Sequence, residues 1–186
     1  VVVPSSHHQG FGFPGSRGVL GFVDGTGNPG QEERPDVVLI GDEDPTFRDG
    51  SYMVFRKIRE DVARWDRLSL REQEDAVGRR KLDSAEYPDA PLTSHKKKSD
   101  VKVGRREMKI YRRSFPFWTP FESGLLFICF QRDLEQYEAV KKSMLSQAKG
   151  GHDRLEDFYQ AVEGGYYFIP PRPLARGGFL GDFLFR

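Results

Sequence analysis

Asp24 stands in the run Gly21-Phe22-Val23-Asp24-Gly25-Thr26-Gly27-Asn28-Pro29-Gly30, which sets one carboxylate in a glycine-rich turn. The glycines permit positive φ or close ligand approach, Asn28 and Pro29 favour a turn, and Val19-Leu20-Gly21-Phe22-Val23 anchors the loop. An Asp held in this way either bonds its own backbone as an Asx-turn or presents a fixed acid-base group to a ligand. Three further places invite chemistry. His95 lies in the irregular loop Pro91-Leu92-Thr93-Ser94-His95-Lys96, Arg112 and Arg113 sit in an otherwise packable strand, and Asp157 lies near Leu155 and Phe158. Each has a plainer reading: an exposed loop histidine, a strand with one arginine in and one out, a solvated helix charge. An inward arginine on a buried sheet nevertheless needs an anionic partner or ligand. Together these residues indicate a site that handles an anion or an oxygen species.

Other chemistries lack their residues. The chain has no Gly-Lys-Ser/Thr phosphate loop, no Cys/His pair at zinc spacing and no G-x-S-x-G nucleophile elbow. Phe22-Val23-Asp24-Gly25-Thr26 is partly similar to the aspartyl-nucleophile motif of haloacid-dehalogenase-like phosphatases, but Phe22 stands where the nucleophile belongs, which excludes that reading.

The 186 residues suffice for one domain, or one domain with a substantial extension. The longest apolar stretch, Leu125-Leu126-Phe127-Ile128-Cys129-Phe130, is strand-sized, so no membrane span is expected. The net charge of +1 gives no general attraction to nucleic acid. Lys96-Lys97-Lys98 and Arg105-Arg106 lack an aromatic stacking platform and read as solvated loop faces. The single cysteine, Cys129, excludes an internal disulfide and packs as a small hydrophobe. The start, Val1-Val2-Val3-Pro4, has neither an initiator methionine nor a targeting signal, and reads as a fragment, a processed product or one piece of a larger protein. A soluble chain is expected, with the compartment, cytoplasmic or exported, left open. His7 and His8 have no accompanying ligand set.

Residues 1–50 are rich in Gly, Pro, Asp and Glu and read as long ordered loops. Ser51 to Ile58 then reads as a strand, with Tyr52, Val54 and Arg56 on one face and Met53 and Phe55 on the other. Asp61 to Leu68 is expected to be helical through Val62, Trp65 and Leu68. Ser69 and Glu72 form a capping-box signature before a second helix. Strands follow at Met108 to Ser114 and Leu125 to Gln131. Asp133 with Gln136 caps a helix whose buried stripe is Leu134, Tyr137, Val140, Met144 and Leu145. A further helix is expected over His152 to Val162, ended by Gly164-Gly165, before a last strand at Tyr166-Tyr167-Phe168-Ile169. This order defines an α+β fold, a ferredoxin-like split β-α-β sandwich with a four-stranded antiparallel sheet and a long N-terminal loop region.

The combination of Gly21 to Thr26 with Asn28-Pro29, then Gly50-Ser51-Tyr52 and Gly78-Arg79-Arg80-Lys81-Leu82, resembles the signature of dye-decolourising peroxidases. Thr93-Ser94-His95, Ile110-Tyr111-Arg112-Arg113, Gly124 to Gln131 and Gly165 to Pro171 continue the resemblance in the family's order over nearly the whole chain. It implies the C-terminal half of a pair of ferredoxin-like domains: a connector over 1–50 carrying the distal loop, and a haem-binding domain over 51–186. A second chain is then expected to supply the N-terminal ferredoxin-like domain. By the same resemblance the cofactor is haem b, His95 is the proximal iron ligand, Asp24 the distal acid-base residue and Arg112 the distal arginine. Asp157 is assigned to the other nitrogen of His95, Arg79 to a haem propionate, and Leu125 and Phe127 to the distal pocket, with surface arginine and core packing as their plain alternatives. Ser114 departs from the pattern, standing where some members carry a distal asparagine. Hydrogen peroxide and an organic reductant, a dye or phenol, are the implied substrates, with Trp65, Trp118 or a tyrosine as candidate electron relays. An aspartate base stays ionised in mild acid where histidine is protonated, so an acidic optimum is implied. A haem-handling or iron-releasing protein, and a non-catalytic ferredoxin-like interaction domain, are the alternatives.

Overall fold

A computed structural model describes residues 7–172 and Gly181. The first part of the chain holds a 3-10 turn at Pro14–Ser16 and a short helix α1 (Arg34–Val38). Strand β1 (Ser51–Glu60) leads into α2 (Val62–Trp65) and α3 (Leu70–Val77), then α4 (His95–Ser99). A small hairpin of β2 (Lys102–Val103) and β3 (Arg106–Glu107) precedes β4 (Tyr111–Arg112), β5 (Phe115–Trp118) and β6 (Ser123–Gln131). Helix α5 (Leu134–Leu145), a 3-10 turn at Arg154–Phe158 and β7 (Tyr159–Ile169) complete the described elements.

The main sheet is antiparallel in the order β4-β6-β1-β7, with β5 also paired to β6. Strands β4 and β5 lie along one edge of β6, so the five strands occupy four positions in the sheet. That arrangement is the ferredoxin-like one. Alternation does the sorting: Val54, Arg56, Ile58 and Glu60 of β1 share a face with their partners Cys129, Phe127 and Leu125 of β6. Tyr137 of α5 packs against Val54 and Cys129 on that face, and a second cluster joins Leu20, Trp65, Ala76, Leu155 and Phe158.

Local signals hold where the structure is local. Ser69 and Glu72 form the capping box of α3, and Asp133 and Gln136 that of α5. The stripe expected on α5 is narrower than its spacing suggested, since Leu134 and Leu145 are exposed while Gln136 turns inward to bond the Val37 carbonyl at 3.1 Å. The helix expected over His152 to Val162 is a correction. Asp153 caps only the 3-10 turn, and β7 starts at Tyr159 and runs through Gly164 and Gly165. Those glycines mark close strand contact, not a helix end: a Cβ at Gly164 would lie 2.7 Å from the Phe55 carbonyl oxygen.

Gly124 is tighter still, because a Cβ there would meet the Ile58 carbonyl oxygen at 2.0 Å. Gly124→Ala must force β6 away from β1 and is expected to cost about 1–3 kcal/mol or more in urea denaturation, the range for overpacking. An unchanged midpoint would contradict this approach.

Candidate functional site

The loop around Asp24 is fastened at several points. Gly18 N–H donates to the Phe22 carbonyl at 2.9 Å and Asp24 N–H to Ser16 at 3.0 Å, closing a tight turn in which Gly21 has φ 84°. Arg17 donates to the carbonyls of Gly21 and Lys81 at 2.6 and 2.8 Å, and the Trp65 indole N–H to that of Leu20 at 3.2 Å. The Asn28 carboxamide then bridges to β4: it donates to the Arg112 carbonyl and accepts from the Arg112 N–H, each at 2.9 Å. This clamp brings Asp24 and Arg112 together. The Asp24 Oδ1 accepts from Gly25 N–H at 2.7 Å and lies 3.6 Å from the Arg112 guanidinium. That bond comes from the next residue and not from the second, as an Asx-turn would require, and it leaves the carboxylate beside the Arg112 guanidinium. Arg112 faces inward while Arg113 is exposed.

His95 opens α4, which Ser94 caps by accepting from Lys97 N–H. Its Nδ1 lies 2.7 Å from Oδ2 of Asp153, a fully buried carboxylate whose Oδ1 accepts from Leu155 N–H at 2.9 Å. The carboxylate partner of His95 is therefore Asp153. Asp157, expected in that place, instead meets Nε2 of His152 at 2.7 Å. The cause is the 3-10 turn, which directs Asp153 toward α4 and leaves Asp157 on the outer side. With Nδ1 occupied by a carboxylate, Nε2 is the ring nitrogen left to act as a donor to a metal.

A cavity of about 580 Å³ lies between the helical layer and this face of the sheet, within the range that holds small-molecule cofactors. Asp24, Arg79, His95, Arg112, Leu125 and Phe127 all line it, whereas Asp157 does not. Arg79 donates to the Ser84 carbonyl at 2.9 Å and pairs with Glu86 at 2.6 Å. Ser114 is not among the lining residues, and its buried Oγ has no hydrogen-bond partner among the described residues. Trp65 is buried in the core and Trp118 is exposed. The Cys129 thiol is pushed up to about 12, chiefly by burial, and stays protonated.

The family model "Dyp-type peroxidase, C-terminal" matches residues 15–173. The chain belongs to the Dyp-type peroxidase family. It is 38% identical over 168 residues to the dye-decolorizing peroxidase of Mycobacterium tuberculosis, covering 87% of this chain and 50% of that protein. A putative dyp-type peroxidase from Shewanella oneidensis superposes with a TM-score of 0.83 at 41% identity, over 87% of this chain and 54% of the other. A Rhodococcus jostii RHA1 DypB variant in complex with heme gives 0.83 at 38%, with the same coverage. The chain thus spans about half the length of the relatives it matches.

Three participants carried no sequence signal strong enough to single them out. Asn28 reads only as a turn former, Asp153 competes with Asp157 four residues on, and Glu60 looks like a strand-end charge. Glu60 is 7% exposed and lines the cavity. Burial pushes its carboxyl up to about 7, the donating Tyr159 hydroxyl opposes the rise, and the Asp24 charge adds to it.

Two measurements follow from this wiring. Asn28→Ala should lower stability by about 1–3 kcal/mol, the cost of leaving part-buried backbone groups unpaired, and speed amide exchange at Arg112. Glu60 binds its proton more tightly folded than unfolded, so its contribution to stability is full below 4.5 and lost as pH rises through about 7. The urea midpoint of Glu60→Gln should accordingly vary less over that window than that of the parent.

Proposed function

We propose that this chain is the haem-binding part of a Dyp-type peroxidase that oxidises dyes or phenolic compounds with hydrogen peroxide. The observation that carries the reading is one cavity lined by His95, which buried Asp153 holds from behind, and by the Asp24–Arg112 pair. A flat apolar macrocycle fits walls that include Phe22, Val77, Leu125, Phe127 and Met144. Arg79 is positioned to exchange Glu86 for a propionate. The chain's single cysteine, Cys129, does not line the cavity, so no thioether attachment is available here and haem b is the form we assign. The N-terminal ferredoxin-like half would come from the remainder of a longer polypeptide or from a second chain.

When bound, haem would supply a redox-active iron able to take two oxidising equivalents from hydrogen peroxide and pass them to the reductant. His95 would hold that iron through Nε2, while Asp153 fixes the ring's tautomer and raises its basicity. The Asp24 carboxylate takes a proton from one peroxide oxygen and returns it to the other, so that water leaves. Arg112, held at 3.6 Å from that carboxylate, stabilises the negative charge that develops as the oxygen–oxygen bond breaks.

In the native polypeptide, Asp24→Ala and Arg112→Ala should retain haem yet slow the peroxide step about a hundredfold or more. His95→Ala should lose the axial ligand, and Asp153→Asn should weaken haem or its reaction by about 10- to 100-fold. Ferric spectra and peroxide kinetics that are unchanged in His95→Ala would overturn the assignment.

A further inference from the structure

Glu60 and Tyr159 stand in the wall between the cavity and an outer cleft of about 720 Å³, and both residues line both spaces. They face each other across the β1–β7 pair, where the Tyr159 hydroxyl favours the ionised form of the Glu60 carboxyl. One oxygen of the Glu60 carboxyl, Oε2, is buried with no partner among the described residues. A buried carboxyl left half satisfied costs free energy that an apolar side chain of similar size would avoid. On the cavity side the lining also carries Asp24, Arg56, Arg79, His95, Lys96, Asp100, Lys102, Glu107, Lys109, Arg112, Lys141 and Glu156, and of these Asp24 acts on Glu60 and Tyr159 alike. On the outer side they are Arg59, Asp61, Asp66, Glu122 and Asp157.

We propose that Glu60 exchanges protons between solvent in the outer cleft and the Asp24 side of the cavity, with Tyr159 holding its carboxyl in place. The inference rests on the peroxidase reading above and adds a proton inlet to it. Reducing hydrogen peroxide to two waters consumes two protons in the cavity together with two electrons from the organic reductant. Neutral Glu60 releases its proton through water toward the Asp24 carboxylate, and the resulting carboxylate takes a proton from water in the cleft. No electrons move in this exchange and the charge of the wall is restored. Glu60 is a positioning and relay group here, acting through Asp24.

The haem-loaded native polypeptide, compared with Glu60→Gln and Tyr159→Phe across neutral pH, tests the proposal. The parent should lose peroxide turnover as pH rises through about 7, where Glu60 ionises. Glu60→Gln should keep its Soret band, turn over about tenfold more slowly on the acid side, a small share of what general acid-base groups contribute, and show no such limb. Tyr159→Phe removes the donor that favours the ionised form, so its limb should move to higher pH. Infrared difference spectra should show a protonated-carboxyl band that titrates with the limb, persists in Asp24→Asn and is missing from Glu60→Gln. An intact Soret band with an unchanged pH profile in Glu60→Gln overturns the relay, as does the lack of a carboxyl band titrating near neutrality. The lack of a Soret band in every protein overturns the haem reading itself and the relay with it.

Discussion

Asp153 has no contact with solvent, and a carboxylate in that position must be fully bonded to be tolerated. One of its oxygens accepts from Leu155 N–H within the 3-10 turn and the other meets His95 on α4. Its own N–H donates to the Met144 carbonyl at 2.7 Å, and the next N–H, of Arg154, to that of Thr93 at 2.9 Å. Three separate pieces of chain, the end of α5, the loop before α4 and the turn before β7, therefore converge on one residue. The orientation of the imidazole follows from that convergence, and so does the shape of the cavity's helical wall.

The opposite wall is built on other principles. Sheet alternation sends Arg56, Ile58, Leu125 and Phe127 to one face, and β4 adds Arg112 at the edge. Regular strand geometry gives these side chains spacing but no acid. The acid arrives on a loop more than eighty residues before Arg112 in sequence, which would be mobile without its anchors. Rigid helical and sheet scaffolding thus carries the histidine and the arginine, whereas the aspartate is carried by hydrogen bonds together with the packing of Leu20 and Phe22 against Trp65.

What could be read from the residues follows the range of each interaction. The capping boxes at Ser69 and Asp133 and the β1 and β6 strands are local patterns, and all appear in the fold. Asp24, His95 and Arg112 stood out by joint resemblance more than by spacing, because a single Asp, His or Arg has many ordinary uses. The choice between Asp153 and Asp157 depended on whether residues after His152 wind as an α-helix or a 3-10 turn, and Gly164-Gly165 pointed to the wrong stop. The Asn28 contact spans 84 positions and the Glu60–Tyr159 pair joins the end of one strand to the start of another. No short-range periodicity encodes either.

The way the carboxamide of Asn28 meets β4 has a bearing on association as well. Arg112 lies on an outer strand, whose free amide and carbonyl would ordinarily invite a neighbouring molecule to add a strand. The side chain satisfies both groups at once and, being only one residue long in the hydrogen-bonding direction, offers no continuation of the ladder. The sheet is thereby capped at this margin, and the same bonds that carry the acid loop also discourage aggregation through that edge.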